Sequence, residues 1–157
     1  MEVPESVVVA AQRLYARQSR LIDEGDAAGW AATFTADGVF DSPSYPEPSR
    51  GAAALTAFAR AFHDSCVATR THLRHVVTNV DVEASERDDE VVAHAYLQIV
   101  ATPEDQDSRL VRLTTLTDRL ARHGDGWLVA HRLVRRDDSA PGPVTTTPDA
   151  HDRGATA

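Results

Sequence analysis

Lysine is missing from this chain: all 16 basic residues are arginine. That bias has the look of a GC-rich coding sequence and carries little functional weight. Positive charge as a whole is scarce, because 24 Asp and Glu outnumber those 16 and leave a net charge of -8. An acidic chain without a basic patch argues against nucleic acid, whose phosphates must be neutralised. It argues equally against an anionic membrane surface. Cysteine is nearly absent too. Cys66 stands alone, so an intrachain disulfide and a thiolate zinc cluster are both excluded, and a reducing cytoplasm is the expected setting. The apolar runs are far too short to cross a bilayer. The opening MEVPESVVVAAQ holds two Glu and no basic residue, so it does not read as a signal peptide.

Several reaction signatures are lacking as well. The chain holds 7 His, yet no HxH, HExxH or paired carboxylate–histidine spacing that would hold a metal. It has no Gly-rich phosphate loop and no GxSxG nucleophile elbow. No cofactor or metal is expected.

What is present fits one globular domain. The chain has 157 residues, 42% hydrophobic and 25% charged, enough for a core and a modest cavity. From Glu5 to about Glu24, Val7, Ala11, Leu14, Leu21 and Ile22 recur at helical spacing. Gly25-Asp26 ends that helix, and Asp26 is placed to cap a short one from Ala27 to Phe34, with Trp30 and Phe34 four apart. Asp37-Gly38 reads as a turn and Val39–Asp41 as a brief strand. The segment 42–50, SPSYPEPSR, has three prolines and reads as a loop lying over something. A third helix follows Gly51, with Leu55, Phe58, Ala59 and Phe62 facing inward.

The second half changes period. Thr71–Val82, Val91–Ala101, Leu110–Arg122 and Trp127–Val134 are four β-rich runs with turn-like separators. Short links between sequential strands predict antiparallel pairing. Helices followed by a curled sheet make an α+β layout. The expected domain covers residues 5–137. The tail, 138–157, lacks apolar periodicity and is expected to be disordered.

Three stretches carry a resemblance. LIDEGDAAGWAATFTADGVFDS resembles the opening of SnoaL-like domains, RTHLRHVVTNV their first long strand, and GDGWLVAHRLVRRD their final hairpin. Together they span most of the domain. The resemblance implies the cone-shaped NTF2-like fold, with about three N-terminal helices on a curved antiparallel sheet. It also implies a homodimer formed through the open side of the sheet. The fold hosts polyketide cyclases, dehydratases, isomerases, epoxide hydrolases and non-catalytic subunits. In scytalone-dehydratase-like members, an Asp ending the first helix and a His on the first long strand form an acid/base pair. These fall on Asp23 and His75. Those members' other polar groups fall on Ile22, Ser42, about Ala101 and Thr115–Thr117, so most of their substrate-orienting donors are not retained.

The residues themselves permit this chemistry. Imidazole titrates near neutrality and passes a proton either way, and an Asp contact would fix its tautomer. Alternation places His75 with Leu73, Val77 and Asn79. The expected wall of a pocket for a small hydrophobic molecule is Tyr15, Trp30, Phe34, Phe58, Phe62, Asn79 and Tyr96, with Tyr45 in a covering loop. His72 is expected to face away from His75. Arg132 is expected at solvent or at a dimer interface. The expected activity is cofactor-free cyclisation, dehydration or isomerisation of a polyketide-type or polycyclic intermediate. The alternatives are a non-catalytic binding or accessory protein and an epoxide-opening enzyme, the last needing further pocket acids beside Asp23.

Overall fold

The structure is a computed structural model that describes residues 2–138. From residue 139 onward, the stretch expected to be disordered lies outside the described residues. The opening helix, α1, runs Glu5–Asp23. Glu5 sits in its first turn and Arg20 in its last, each opposite in sign to the helix end it occupies. Its buried stripe is Val7, Ala11, Leu14, Tyr15, Gln18 and Ile22.

Gly25 then turns the chain at φ +82, in the left-handed region that suits glycine. A side chain there would also strike the His63 ring, which lies 2.7 Å from the place a Cβ would take. Asp26 accepts from Gly29 N–H at 2.8 Å and caps α2, Ala27–Ala31. This helix stops three residues before the expected Phe34. Thr33 is the reason: its hydroxyl bonds back to Trp30 O at 2.6 Å, while its carbonyl accepts from Val129 N–H. The chain there joins the sheet, and Phe34 opens strand β1, Phe34–Asp41.

After β2 (Ser49–Arg50) comes α3 (Gly51–Ala68). Four long strands complete the chain: β3 Thr71–Ala84, β4 Glu90–Pro103, β5 Arg109–His123 and β6 Gly126–Arg136. They form one six-stranded sheet in the order β2-β1-β6-β5-β4-β3. The hairpin-linked strands pair antiparallel as expected, but β1 lies parallel to β6. The sheet is therefore mixed, because β1 reaches β6 by a long connection that imposes no antiparallel turn. Three helices on this sheet make the α+β fold.

Register shifts bend the sheet. They fall between Thr78 and Asp81 on β3, at Val111 on β5 and at Ala130 on β6, with a further shift between Phe34 and Val39 where β1 meets β6. Each extra residue also reverses which side chains face inward. Val82, Ala93, Ala95, Leu120 and Val129 pack under Val7 and Ala11 at one end of the concave face. Ala11, Ala93 and Ala95 are all but fully buried, so helix and sheet close tightly there. The other end is not filled.

Candidate active site

The unfilled end is a cavity between α1, α3 and the sheet. Its unfilled space, about 710 Å³, includes open solvent at the mouth. Trp30, Phe58 and Phe62 from the helices, with Phe40 from β1, form one wall, and Val77, Leu97, Ile99, Leu116 and Val134 from the long strands form the other. The aromatic rings brace one another. Phe58 lies 4.7 Å from Phe40 and 5.6 Å from Trp30 between ring centres. The proline-rich loop lines the cavity through Ser42, Ser44 and Tyr45, and Tyr45 meets Phe58 edge-on at 4.9 Å.

His75 enters this cavity from β3. Behind it stands Asp23, in the last residue of α1. Asp23 Oδ1 lies 2.6 Å from His75 Nδ1, and Oδ2 accepts the His75 backbone N–H at 3.1 Å. Both side chains are largely shielded, with 12% of His75 and 6% of Asp23 exposed. Phe62 packs against the imidazole at 5.3 Å. The carboxylate can only accept, so the ring nitrogen facing it carries the proton. In the neutral imidazole that tautomer leaves Nε2 with the free lone pair. Asp23 itself does not line this cavity but borders a second hollow with Cys66 and His72.

A second polar group enters from β5 and β6. Arg132 is 7% exposed and Asp118 0%, so Arg132 does not sit at solvent as expected. β6 is the cause. Arg119 pairs with His131 but Leu120 with Val129, leaving Ala130 as an extra residue. Val129 faces inward before it and Arg132 and Val134 after it. Arg132 Nε donates to both Asp118 oxygens at 3.0 and 3.1 Å, and Nη2 donates to Asp118 Oδ2 at 2.6 Å and Gln18 Oε1 at 2.8 Å. Gln18 Nε2 in turn donates to Thr33 Oγ1 at 2.7 Å. Burial opposes the guanidinium's charge, but Asp118 outweighs it and holds the pKa of Arg132 above the usual arginine value. Tyr15 lies under Arg132, its ring centre 5.5 Å from the guanidinium carbon. Burial, reinforced by the Asp118 charge, pushes the Tyr15 phenol well above its ordinary range.

Of the expected wall, Tyr15, Trp30, Tyr45, Phe58 and Phe62 line the cavity. Three residues lie elsewhere. Phe34 is buried in the core against Trp30 at 4.8 Å. Asn79 sits at the β3 bulge with φ +53, exposed, because the bulge breaks the alternation that placed it beside His75. Tyr96 is 51% exposed, since the odd-numbered residues of β4 face inward. His72 is exposed, away from His75. Gln18 and Asp118 were not anticipated. Their signal was phase: Gln18 is four residues from Leu14 and from Ile22, and Asp118 lies midway between Leu116 and Leu120.

The SnoaL-like domain model matches residues 7–133. The chain belongs to that family. Solved relatives agree. ActVI-ORFA from Streptomyces coelicolor is 26% identical with a TM-score of 0.80, over 88% of this chain and 100% of that one. A Catenulispora acidiphila protein solved in complex with S-DNPA is 29% identical with a TM-score of 0.74, over 85% and 96%. An NTF2-like protein with a cystatin-like fold from Novosphingobium aromaticivorans shares the fold at 19% identity and a TM-score of 0.74, over 86% and 84%. No curated protein sequence matches. Ile22 and Ser42, where the resemblance placed substrate-orienting phenols, line the cavity without supplying one. Among the described residues no helix is long and apolar enough to cross a membrane.

Proposed function

We propose that this SnoaL-like protein is a cofactor-free acid/base enzyme acting on a polyketide-type or polycyclic aromatic intermediate, by cyclisation, dehydration or isomerisation. The observation that carries the reading is the Asp23–His75 pair, with the imidazole turned into an apolar hollow. Asp23 holds the tautomer and stabilises the imidazolium that forms. His75 Nε2 takes a proton from a carbon acid and returns it to a leaving hydroxyl or to another carbon. The aromatic and aliphatic walls hold a flat substrate and exclude water, which strengthens the pair's electrostatics. A 29% identical relative was solved in complex with S-DNPA, which supports a ligand-binding role for this chain. The convex face leaves Val76, Tyr96, Leu110 and Leu113 40% exposed or more, and this apolar patch supports pairing with a second copy. Asp118 offers little to an epoxide-opening reading, because Arg132 engages both of its oxygens.

The test is turnover of fused-ring β-hydroxyketones, followed as loss of water and as solvent deuterium exchange beside the carbonyl. His75→Ala and Asp23→Asn are expected to slow both by about 10²-fold or more. Wild-type rates in both variants would refute the assignment and leave a binding protein.

A further inference from the structure

Proton transfer by the Asp23–His75 pair leaves Arg112 without a task. Arg112 stands on β5 and lines the cavity together with His75. Across the sheet His75 pairs in register with Ile99, and Ile99 with Arg112. The imidazole and the guanidinium therefore rise from positions two strands apart, about 10 Å at the usual spacing. The β5 bulge sets the direction of Arg112. Val111 is the extra residue, so Leu110 before it is 55% exposed, while Arg112 after it turns to the cavity and is half-buried.

The charge of Arg112 is not met within the described fold. Arg132, the other cation of the cavity, is held by Asp118 and Gln18. Arg136 borders Arg112 in a groove that continues the cavity past Tyr45 and Phe58, and it donates to Asp138 and to Ser44 Oγ. Asp137 and Asp138 share a separate surface hollow with Arg112. Among the described residues neither forms an ion pair with it, and Asp138 pairs with Arg136 instead. No carboxylate among the described residues lines the cavity or its continuing groove. Setting Arg132 against Asp118 and Arg136 against Asp138 leaves Arg112 as the unmatched cation. The chain as a whole carries -8, so this positive rim runs against the overall charge.

A guanidinium half-shielded from water beside an apolar hollow is a receiver for an anion. Its planar fork fits a carboxylate through two parallel N–H···O bonds. A singly charged group balances the unmatched cation, whereas a phosphate monoester would leave charge over in a poorly hydrated place. We propose that Arg112 takes the carboxylate of a short acidic arm on the substrate, which makes that substrate an aromatic acid. Its flat body fills the hollow, its reacting carbon lies against His75 and its anion is anchored two strands away. The flat body rests on the function proposed above; the anion rests on Arg112. The anchor stands apart from the reacting bonds, so it raises affinity without altering the proton step.

The experiment is calorimetric titration of the full chain with 2-naphthylacetate and with 2-naphthylacetamide, its neutral counterpart of the same shape, at neutral pH and low salt. Wild type is compared with Arg112→Gln and with Arg135→Gln. Arg135 is exposed and out of phase with the inward-facing Arg132 and Val134, so it controls for net charge alone. Wild type is expected to bind the acid about tenfold tighter than the amide. Arg112→Gln should weaken the acid about tenfold and leave the amide within about twofold, while Arg135→Gln should leave both unchanged. Added salt should weaken the acid only. Amide binding with no preference for the acid, or a preference that survives Arg112→Gln, would overturn this inference and leave the apolar hollow as read. Binding of neither compound at its solubility limit would overturn both. His75→Ala should keep the acid preference; wild-type turnover in that variant would sink the proton-transfer reading alone.

Discussion

Replacing Asp118 by Asn tests the polar half of the cavity most directly. The side chain keeps its shape and loses its charge. Asp118 is fully buried and supplies three of the four hydrogen bonds recorded for Arg132. In the variant the amide oxygen still accepts one or two of them, but its NH₂ turns a donor toward guanidinium donors. The guanidinium keeps its charge with no anion against it. Breaking a buried pair from one side costs about 3–5 kcal/mol. Arg132 borders the cavity, so water reaches one face of it and the lower end, about 3 kcal/mol, is expected. At about 2–4 °C per kcal/mol for a chain of this size, the melting temperature should fall by roughly 6–12 °C. Urea and thermal unfolding, followed by circular dichroism, measure this. The double variant Asp118→Leu/Arg132→Met removes both charges and should recover most of the loss. A single variant within about 1 kcal/mol of wild type, or a double variant no better than the single, would show that the pair is not a desolvated unit.

Two pH-linked predictions accompany it. The folded Tyr15 phenol is pushed above its ordinary 10.0, whereas the unfolded one ionises there. Stability from this group is therefore full below pH 10 and declines above it, by about 1.4 kcal/mol for each further pH unit. Tyr15→Phe should flatten the alkaline limb of the stability profile and remove phenolate absorbance only from the step that accompanies unfolding; an unchanged limb would contradict the burial argument. Burial first, and then the negative charge of Asp23, raise the Cys66 thiol above its ordinary value. Asp23→Asn should therefore speed iodoacetamide alkylation of Cys66 near pH 8 about twofold or more, following the larger thiolate fraction; an equal or slower rate would refute the coupling.

Much of this layout was legible in the sequence because it rests on periodicity. The stripe from Val7 to Ile22 at helical spacing, and the β-rich runs with turn residues between them, each name their element without help from the rest of the chain. Asp23 and His75 were legible through the resemblance, since nothing local says that a helix end and a distant strand meet. The failures have a common physical origin. Asn79 lies in a bulge and Arg132 just beyond one, and one inserted residue reverses every later side chain. Alternation read without the bulge puts both on the wrong face. Tyr96 depended on which face of β4 is concave, a tertiary fact. Gln18 and Asp118 were in phase with buried neighbours, but the partner that makes their burial affordable, Arg132, had been placed outside.

The carboxylate of Asp23 grips the main chain at position 75 as well as the ring. Position 75 can therefore change its side chain and still be moored to the end of α1. A cysteine or a tyrosine installed there would inherit the same berth, with a different reagent presented to the same guest. The tether belongs to the scaffold and the chemistry to the occupant, so this position offers a place to graft new reactivity without rebuilding the fold.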